Sequence, residues 1–478
     1  MDGEAFATRR LQAAQPAAAT DGAAARPAGA ATAGAPPGAE PEGRPAPAQL
    51  DAALGSLASL LNSSVTFWAV HAPDSEGGGF FTFLDQYGAP SAGEDKLLVP
   101  AARQLYAWAT VAQQGGAGGT GRAQALQLAK RAYDFLTGTA MWDYAERQFA
   151  WQVSRDGSRV VHPEKVLYGQ AFAILGLARY ARSAGDSAAA DFAWRVFSSV
   201  DAARHDPQLG GYLEDTEAAN PPGVGTGDRV ARSHNTHLHL IEALTELSAA
   251  LGASGSGMQN KALVDSRLAE LLSLVGTKLY RPSTGHLAVQ FHRDWTPVDP
   301  NAQLLAHELE LVYFAAAAAR QLATASLPAD LATAVPRVRQ LALEVGARAS
   351  QATWDPQRGG FWEAGRDGKP SVESSCGRVK AWWPQFEGML GSFWLWQATG
   401  DGTHLQRLLG ALSTLQQRFA DPAGGEFFAY VDDASGKPAC GTQKADGWKA
   451  NYHSLRGLLY AQEWLTAARA GTAVVPKV

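Results

Sequence analysis

The sequence predicts an all-α protein, an (α/α)6 barrel of six helical hairpins with short β-hairpins on one rim. A short aromatic segment recurs six times, two helical stretches separate successive copies, and unusual polar residues gather at the start of every second helix. The aromatic copies are Gly78-Gly79-Phe80-Phe81, Phe149-Ala150-Trp151, Gly210-Gly211-Tyr212-Leu213, Gly285-His286-Leu287, Gly359-Gly360-Phe361-Trp362 and Gly425-Glu426-Phe427-Phe428. Recurrence at about 60–75 residues marks repeated supersecondary units. Two copies open with Asp206-Pro207 and Asp355-Pro356, and a shortened one with Asp421-Pro422, so each reads as a turn feeding a short strand.

The periodicity predicts helices near 48–64, 94–114, 122–138, 163–184, 186–203, 233–251, 260–278, 301–323, 330–350, 378–399, 402–419 and 447–468. Twelve alternating helices can form an open solenoid or a closed barrel, and six pairs without a polar capping repeat favour closure. The helices that follow the aromatic strands carry Arg103; Tyr168 and Gln170; His237, His239 and Glu242; His307, Glu308 and Glu310; Gln385 and Glu387; and Tyr452, His453 and Arg456 near their starts. If those six form the inner ring, their polar groups meet at one end of one cavity.

Composition bounds the rest. The 478 residues suffice for one large domain or two ordinary ones with ample core, and the repeat assigns residues 48–470 to one barrel. A formal charge of −5 without basic runs argues against nucleic acid as a partner. No apolar run approaches the length of a membrane helix, so no membrane partner is expected. Cys376 and Cys440 are far apart and form no metal-spaced motif, so a reducing compartment, the cytoplasm, is the simpler reading. Residues 1–47 are rich in Ala, Pro and Gly and read as a disordered tail, with an organelle or plastid transit peptide as the alternative. The Pro- and Gly-bearing stretch from Glu214 to Arg232 reads as a long loop placed to cover the cavity or merely decorate it.

The densest candidate stretch is Ser233-His234-Asn235-Thr236-His237-Leu238-His239-Leu240-Ile241-Glu242, three imidazoles at a helix opening with Ser233 or Asn235 as N-cap. His239 and Glu242 share a helix face, and His307 and Glu310 repeat the same spacing. His and Glu could ligate a metal. Neither pair is His-Glu-x-x-His, however, and a carboxylate also fixes an imidazole's tautomer and raises its basicity, so metal-free acid/base chemistry is expected. Trp382 and Trp383 suit the apolar face of a sugar ring or the core, with Gln385 and Glu387 placed to bond hydroxyls. Arg103, alone in an apolar helix, needs a ligand or an ion pair with Asp85 or Glu94.

From Phe67-Trp68 to Tyr452-His453 the chain resembles the N-acylglucosamine 2-epimerase family, which includes cellobiose 2-epimerases and mannose isomerases. The resemblance rests on Tyr168-Gly169-Gln170-Ala171-Phe172, Asn235-Thr236-His237-Leu238-His239-Leu240-Ile241-Glu242-Ala243, His307-Glu308-Leu309-Glu310, Trp382-Trp383-Pro384-Gln385-Phe386-Glu387, and Trp448-Lys449 with Tyr452-His453-Ser454-Leu455-Arg456. It implies an (α/α)6 barrel that opens a sugar ring, removes the C2 proton to give a cis-enediolate, and returns a proton to C2 from the other face. His307 and His453 would be the acid/base pair on either side of C2, His239 would assist ring opening or polarise O1, and Arg103 would stabilise the enediolate oxygen. Glu242, Glu310 and Glu387 would orient the histidines or the sugar, with Tyr168, Asn235, His237, Trp382, Trp383, Gln385 and Arg456 around the substrate. The resemblance implies no cofactor and no metal, a small sugar as the one necessary partner, and leaves a homodimer open. The Asn-Thr-His-Leu-His segment and the Trp-Lys pair look closer to cellobiose 2-epimerases and mannose isomerases than to animal N-acylglucosamine epimerases. An aldose–ketose isomerase is the alternative on the same site. An (α/α)6 glycoside hydrolase, which needs two carboxylates flanking a bond, and a non-catalytic helical scaffold are more remote.

Overall fold

The computed structural model describes residues 46–91, 95–214, 230–254, 258–374 and 376–478. The expected N-terminal tail and most of the 214–232 loop lie outside them. Twelve α-helices are described: α1 (Pro47–His71), α2 (Leu98–Gln113), α3 (Arg122–Gly138), α4 (Leu167–Ala184), α5 (Ser187–Arg204), α6 (His234–Ser254), α7 (Met258–Leu274), α8 (Leu305–Gln321), α9 (Ala329–Thr353), α10 (Trp383–Thr399), α11 (Gly402–Thr414) and α12 (Tyr452–Ala470). Each falls on a predicted stretch.

The even-numbered helices form a closed inner ring in which α2 packs on α4, α4 on α6, α6 on α8, α8 on α10, α10 on α12, and α12 back on α2. Each also packs on an odd-numbered outer helix, with α1 against α12 closing the outer layer. The inner helices are buried almost all round, whereas the outer ones are amphipathic. In α9, for example, Val335, Val338, Ala342, Val345 and Ala349 are buried at helical spacing. Among the described helices, α1 alone is long and apolar enough to cross a membrane, which corrects the expectation that no such run exists. Its Leu50, Ala53, Leu57, Leu61, Val65 and Trp68 are buried at helical spacing, as in a core helix.

Short strands decorate the rim where the inner helices begin. Lys96–Leu97 pairs with Gln152–Val153, Arg232–Ser233 with Gln290–Phe291, and Val379–Ala381 with Tyr430–Asp432. Five of the six repeat turns share a lock that the three Asp-Pro openings only hinted at. In each, an aspartate accepts backbone N–H bonds from its own turn and pairs with a cation just upstream of the next inner helix. The pairs are Asp74–Lys96 at 3.0 Å, Asp143–Lys165 at 2.9 Å, Asp206–Arg232 at 2.6 Å, Asp355–Lys380 at 2.8 Å and Asp421–Lys444 at 2.8 Å. The lock fixes where each inner helix starts.

The second glycine of the Gly-Gly pairs has a physical reason. Gly211 and Gly360 have φ of +73° and +82°, a region open to glycine at little cost. A Cβ at Gly211 would stand 2.8 Å from the His237 ring, and one at Gly360 would stand 2.7 Å from the Gln385 amide. Those side chains hold the aromatic strand from the helix below.

Two boundary expectations change. Cys376 and Cys440 form a disulfide, because the loops flanking the Val379–Ala381/Tyr430–Asp432 ribbon bring their Cα atoms to 5.7 Å. The barrel unit also extends past residue 470. Val478 is buried, and its carbonyl accepts hydrogen bonds from Arg179 and Tyr460.

The locks differ in burial, and so in weight. Asp206→Ala strands the fully buried Arg232 and should cost about 3–5 kcal/mol in urea unfolding. Asp143→Ala, at a pair whose carboxylate is partly exposed, should cost about 1 kcal/mol or less. Equal losses would contradict the assigned role of buried ion pairing.

Candidate functional site

The inner helices open at the same rim, so their polar first turns meet. Ser233 caps α6, its Oγ accepting the Thr236 N–H at 3.1 Å, which selects it over Asn235. Two residue sets that look alike in sequence then separate by direction. Gln170, His237, Glu308 and Gln385, third or fourth in their helices, turn toward the aromatic strands. The Gln170 amide bonds both backbone groups of Phe149, and Gln385 does the same for Phe361. His237 accepts the Tyr212 N–H at Nε2 and donates from Nδ1 to the Ser233 carbonyl. Glu308 accepts from the Leu287 N–H and from His286. The structure thus places His237 and Gln385, expected around the substrate, in backbone clamps, where their hydrogen-bonding capacity is already used.

About two residues further along each helix, the side chains turn inward and meet one another inside the ring. Arg456 on α12 donates to Glu242 on α6, Glu310 on α8 and Glu387 on α10, each at 2.7 Å. Two of these carboxylates also hold a histidine. His239 Nδ1 donates to Glu242 at 3.0 Å, and His453 Nδ1 donates to Glu387 at 2.6 Å. A tyrosine completes each set: Tyr452 bonds Glu242 at 2.7 Å and Tyr313 bonds Glu387 at 2.5 Å. The result is two His–Glu–Tyr groups joined through one guanidinium, with no hydrogen bond to either Nε2 among the described residues.

His307 stands between them on α8. The Trp383 ring lies 4.6 Å from the His307 ring and 5.5 Å from the His453 ring, so an indole sits between two imidazoles. Trp382 packs edge-on against Tyr430 and His453 instead. Arg103 donates to the Tyr168 hydroxyl at 3.0 Å and to the Trp448 carbonyl, with its guanidinium 4.4 Å above the Phe172 ring. The Tyr168 hydroxyl also meets Asn235. Asp85 spends its carboxylate on the Tyr87 and Ala89 N–H groups, and Glu94 lies outside the described residues.

Several buried polar atoms here have no hydrogen-bond partner among the described residues: both nitrogens of His234, Nδ1 of His307, Oε2 of Glu310, Oδ1 of Asn235, and Nε of Arg103 and Arg456. Native interiors rarely leave such atoms unpaired, so these are available to a ligand. His234, Phe172, Tyr313 and Trp448 join the site without having been assigned to it. For His234 the signal was present in the three-histidine stretch; its ring lies 6.1 Å from that of His307.

Burial and charge set the protonation states. Burial holds His453 down at about 3 against its bond to Glu387, and holds His239 and His307 well below the ordinary range. All three are therefore neutral bases at pH 7. Burial would raise the Glu387 carboxyl, but Arg456 and the His453 and Tyr313 hydrogen bonds bring it down to about 2. Burial and then the Glu387 charge push Glu310 well above the usual carboxylate range, against its contact with Arg456. Two triads, His239/His307/Glu310 and Glu310/Glu387/His453, bring one donor atom from each residue within 4.8 Å of the others, close enough to grip a cation.

Stability should respond to pH through the buried imidazoles. His234, His237, His239, His307, His404 and His453 are depressed, so below about 6.5 the unfolded chain takes up protons that the folded chain refuses. The raised carboxyls of Glu242, Glu308 and Glu310 act in the opposite sense, but six groups outnumber three. The thermal midpoint should therefore fall as pH drops from 7.5 to 5. A flat or rising midpoint would contradict these states.

Known proteins resemble this chain in sequence and fold. The N-acylglucosamine 2-epimerase (GlcNAc 2-epimerase) family matches residues 79–456. The cellobiose 2-epimerase of Bacteroides fragilis is 25% identical over 402 residues, covering 83% of this chain and 95% of that one. The N-acylglucosamine 2-epimerase of Bos taurus is 26% identical over 421 residues, covering 86% and 90%. The solved structure of cellobiose 2-epimerase from Spirochaeta thermophila superposes with a TM-score of 0.72 at 26% identity, covering 88% and 98%.

Proposed function

The chain belongs to the N-acylglucosamine 2-epimerase family, and we propose that it inverts C2 of an aldose through a cis-enediolate, with His307 and His453 as the two bases. The substrate is a gluco/manno sugar such as cellobiose, or an N-acylglucosamine/N-acylmannosamine pair. The observation that carries this reading is the pair of imidazoles flanking Trp383, each neutral through burial, with a carboxyl-bearing helix turn behind it.

The chemistry follows from what a C2 proton demands. It becomes acidic only when the ring opens and C1 is a carbonyl. His239, locked by Glu242 with Nε2 free, is placed to move the proton that ring opening requires. One base then takes the C2 proton. A buried neutral imidazole does this more readily than a protonated one, and a positioned acid/base group of this kind contributes about 10²–10⁴ in rate. Negative charge spreads onto the enediolate oxygen, where Arg103 supplies a fixed cation and the nearby inner-helix N-termini add their positive dipole ends. The second histidine, neutral at rest, first takes up a proton at its cavity-side nitrogen and then delivers that proton to the opposite face of C2. Trp383 between the two offers an apolar face to the sugar carbons. The cytoplasm is the setting we assign, with an organelle as the alternative if residues 1–47 form a transit peptide.

The test is a product panel with mannose, cellobiose and N-acetylmannosamine, resolved by chromatography. A C2 epimer from at least one sugar is expected, unaffected by EDTA, because the bases work without a metal. A ketose would move the second proton transfer to C1, and released monosaccharide from cellobiose would overturn the reading in favour of hydrolysis. His307→Asn or His453→Asn should lower kcat/KM by about 10²–10⁴ with little change in thermal midpoint.

A further inference from the structure

His234 opens α6 as an imidazole with nothing to bond. It is 1% exposed, and neither ring nitrogen has a hydrogen-bond partner among the described residues. The other two histidines of that stretch are closed: His237 by the Tyr212 N–H and the Ser233 carbonyl, and His239 by Glu242. The backbone fixes where the ring stands. Ser233 pairs with Gln290 in the rim ribbon and caps α6, and the His234 N–H donates to the Val289 carbonyl at 2.8 Å. A polar ring buried this way costs stability unless a ligand supplies its partners.

Its neighbours place it in a row. The His307 ring lies 6.1 Å from that of His234 and 6.3 Å from that of His239, and no ring contact joins His234 to His239 among the described residues. His307 therefore stands between the two. On the epimerase reading, His239 acts where the ring opens, at C1, and His307 acts at C2. A sugar laid along the three imidazoles in that order brings C3 toward His234. Resting on that reading, we infer that His234 is a specificity-determining residue that hydrogen-bonds the C3 hydroxyl of the substrate.

The chemistry of the ring selects the group. Burial, and then the neighbouring His237 and His239, hold the His234 pKa down to about 3, so the ring is neutral at pH 7. A neutral imidazole offers one N–H donor and one acceptor nitrogen. A hydroxyl can answer either, donating to the bare nitrogen or accepting from the N–H. An ionised carboxylate can only accept, and it finds no charge on this ring. A bare C3 answers neither. A site that hydrogen-bonds a substrate hydroxyl discriminates against the analogue lacking it for that reason. C3 itself reacts in no step of the inversion, so the contact serves recognition and not proton transfer.

The experiment is a two-by-two comparison of kcat/KM in the full chain. Wild type and His234→Phe are each assayed with the panel aldose that wild type inverts and with its analogue deoxygenated at C3 of the reacting sugar. Wild type should lose about 10–100-fold on the 3-deoxy sugar. His234→Phe should lose a similar factor on the parent sugar and almost nothing further on the 3-deoxy sugar, so the two losses do not multiply. Losses that multiply, a parent-sugar rate unaffected by His234→Phe, or a 3-deoxy sugar turned over as well as its parent would overturn the assignment while leaving the epimerase reading intact. If His234→Phe does not fold, His234→Leu is read by the same criterion. Failure of the wild type to invert any of the three sugars would overturn the epimerase reading itself, and this contact with it.

Discussion

The site depends on a buried cation. Arg456 is fully enclosed and reaches Glu242, Glu310 and Glu387 from three other helices. A guanidinium in that environment is tolerable only when carboxylates surround it, and they are tolerable only because the guanidinium is there. Each constraint passes outward. Glu242 and Glu387 also bond Nδ1 of His239 and His453, which fixes both rings and leaves both Nε2 atoms without a hydrogen bond among the described residues. Glu310 has no such histidine among the described residues, and burial with the Glu387 charge raises its carboxyl well above the usual range. One arginine therefore sets the tautomers and charges of a cavity built from four helices.

The repeat supplies the precision this arrangement needs. Aspartate–cation locks pin the rim turns just before five inner helices, and Gln170, His237, Glu308 and Gln385 pin the aromatic strands from below. Scaffold and chemistry thus occupy adjacent positions on the same helix turns. The clamp residues hold the rim, and residues such as His239, Glu310 and Glu387, two further on, use that fixed frame to face one another across the barrel.

Much of the fold was legible because its signals are local. The aromatic repeat, the turn residues and the helical periodicity each lie within a few dozen residues, and all twelve helices followed from them. The site was legible as a set of helix openings but not in detail. His237 and His239 are two residues apart in one helix, and an inner helix buried on every side has no polar face to show which of them points inward. The same ambiguity put Gln385 beside the substrate. The importance of Arg456 was hidden for another reason: its partners lie 69 to 214 residues away, and no local pattern reveals such a contact. The Cys376–Cys440 bond was missed for the same reason, with 64 residues between its ends.

The central claim is that His307 and His453 work on opposite faces of C2. The direct measurement is proton exchange at C2 in deuterated water, followed by NMR, for His307→Asn and His453→Asn with each of the two epimers separately. The account predicts a mirror-image result: each variant fails to interconvert the epimers, yet one still exchanges the C2 proton of the first epimer and the other that of the second. Loss of exchange with both epimers in both variants, or net epimerisation by either, would contradict a two-base site.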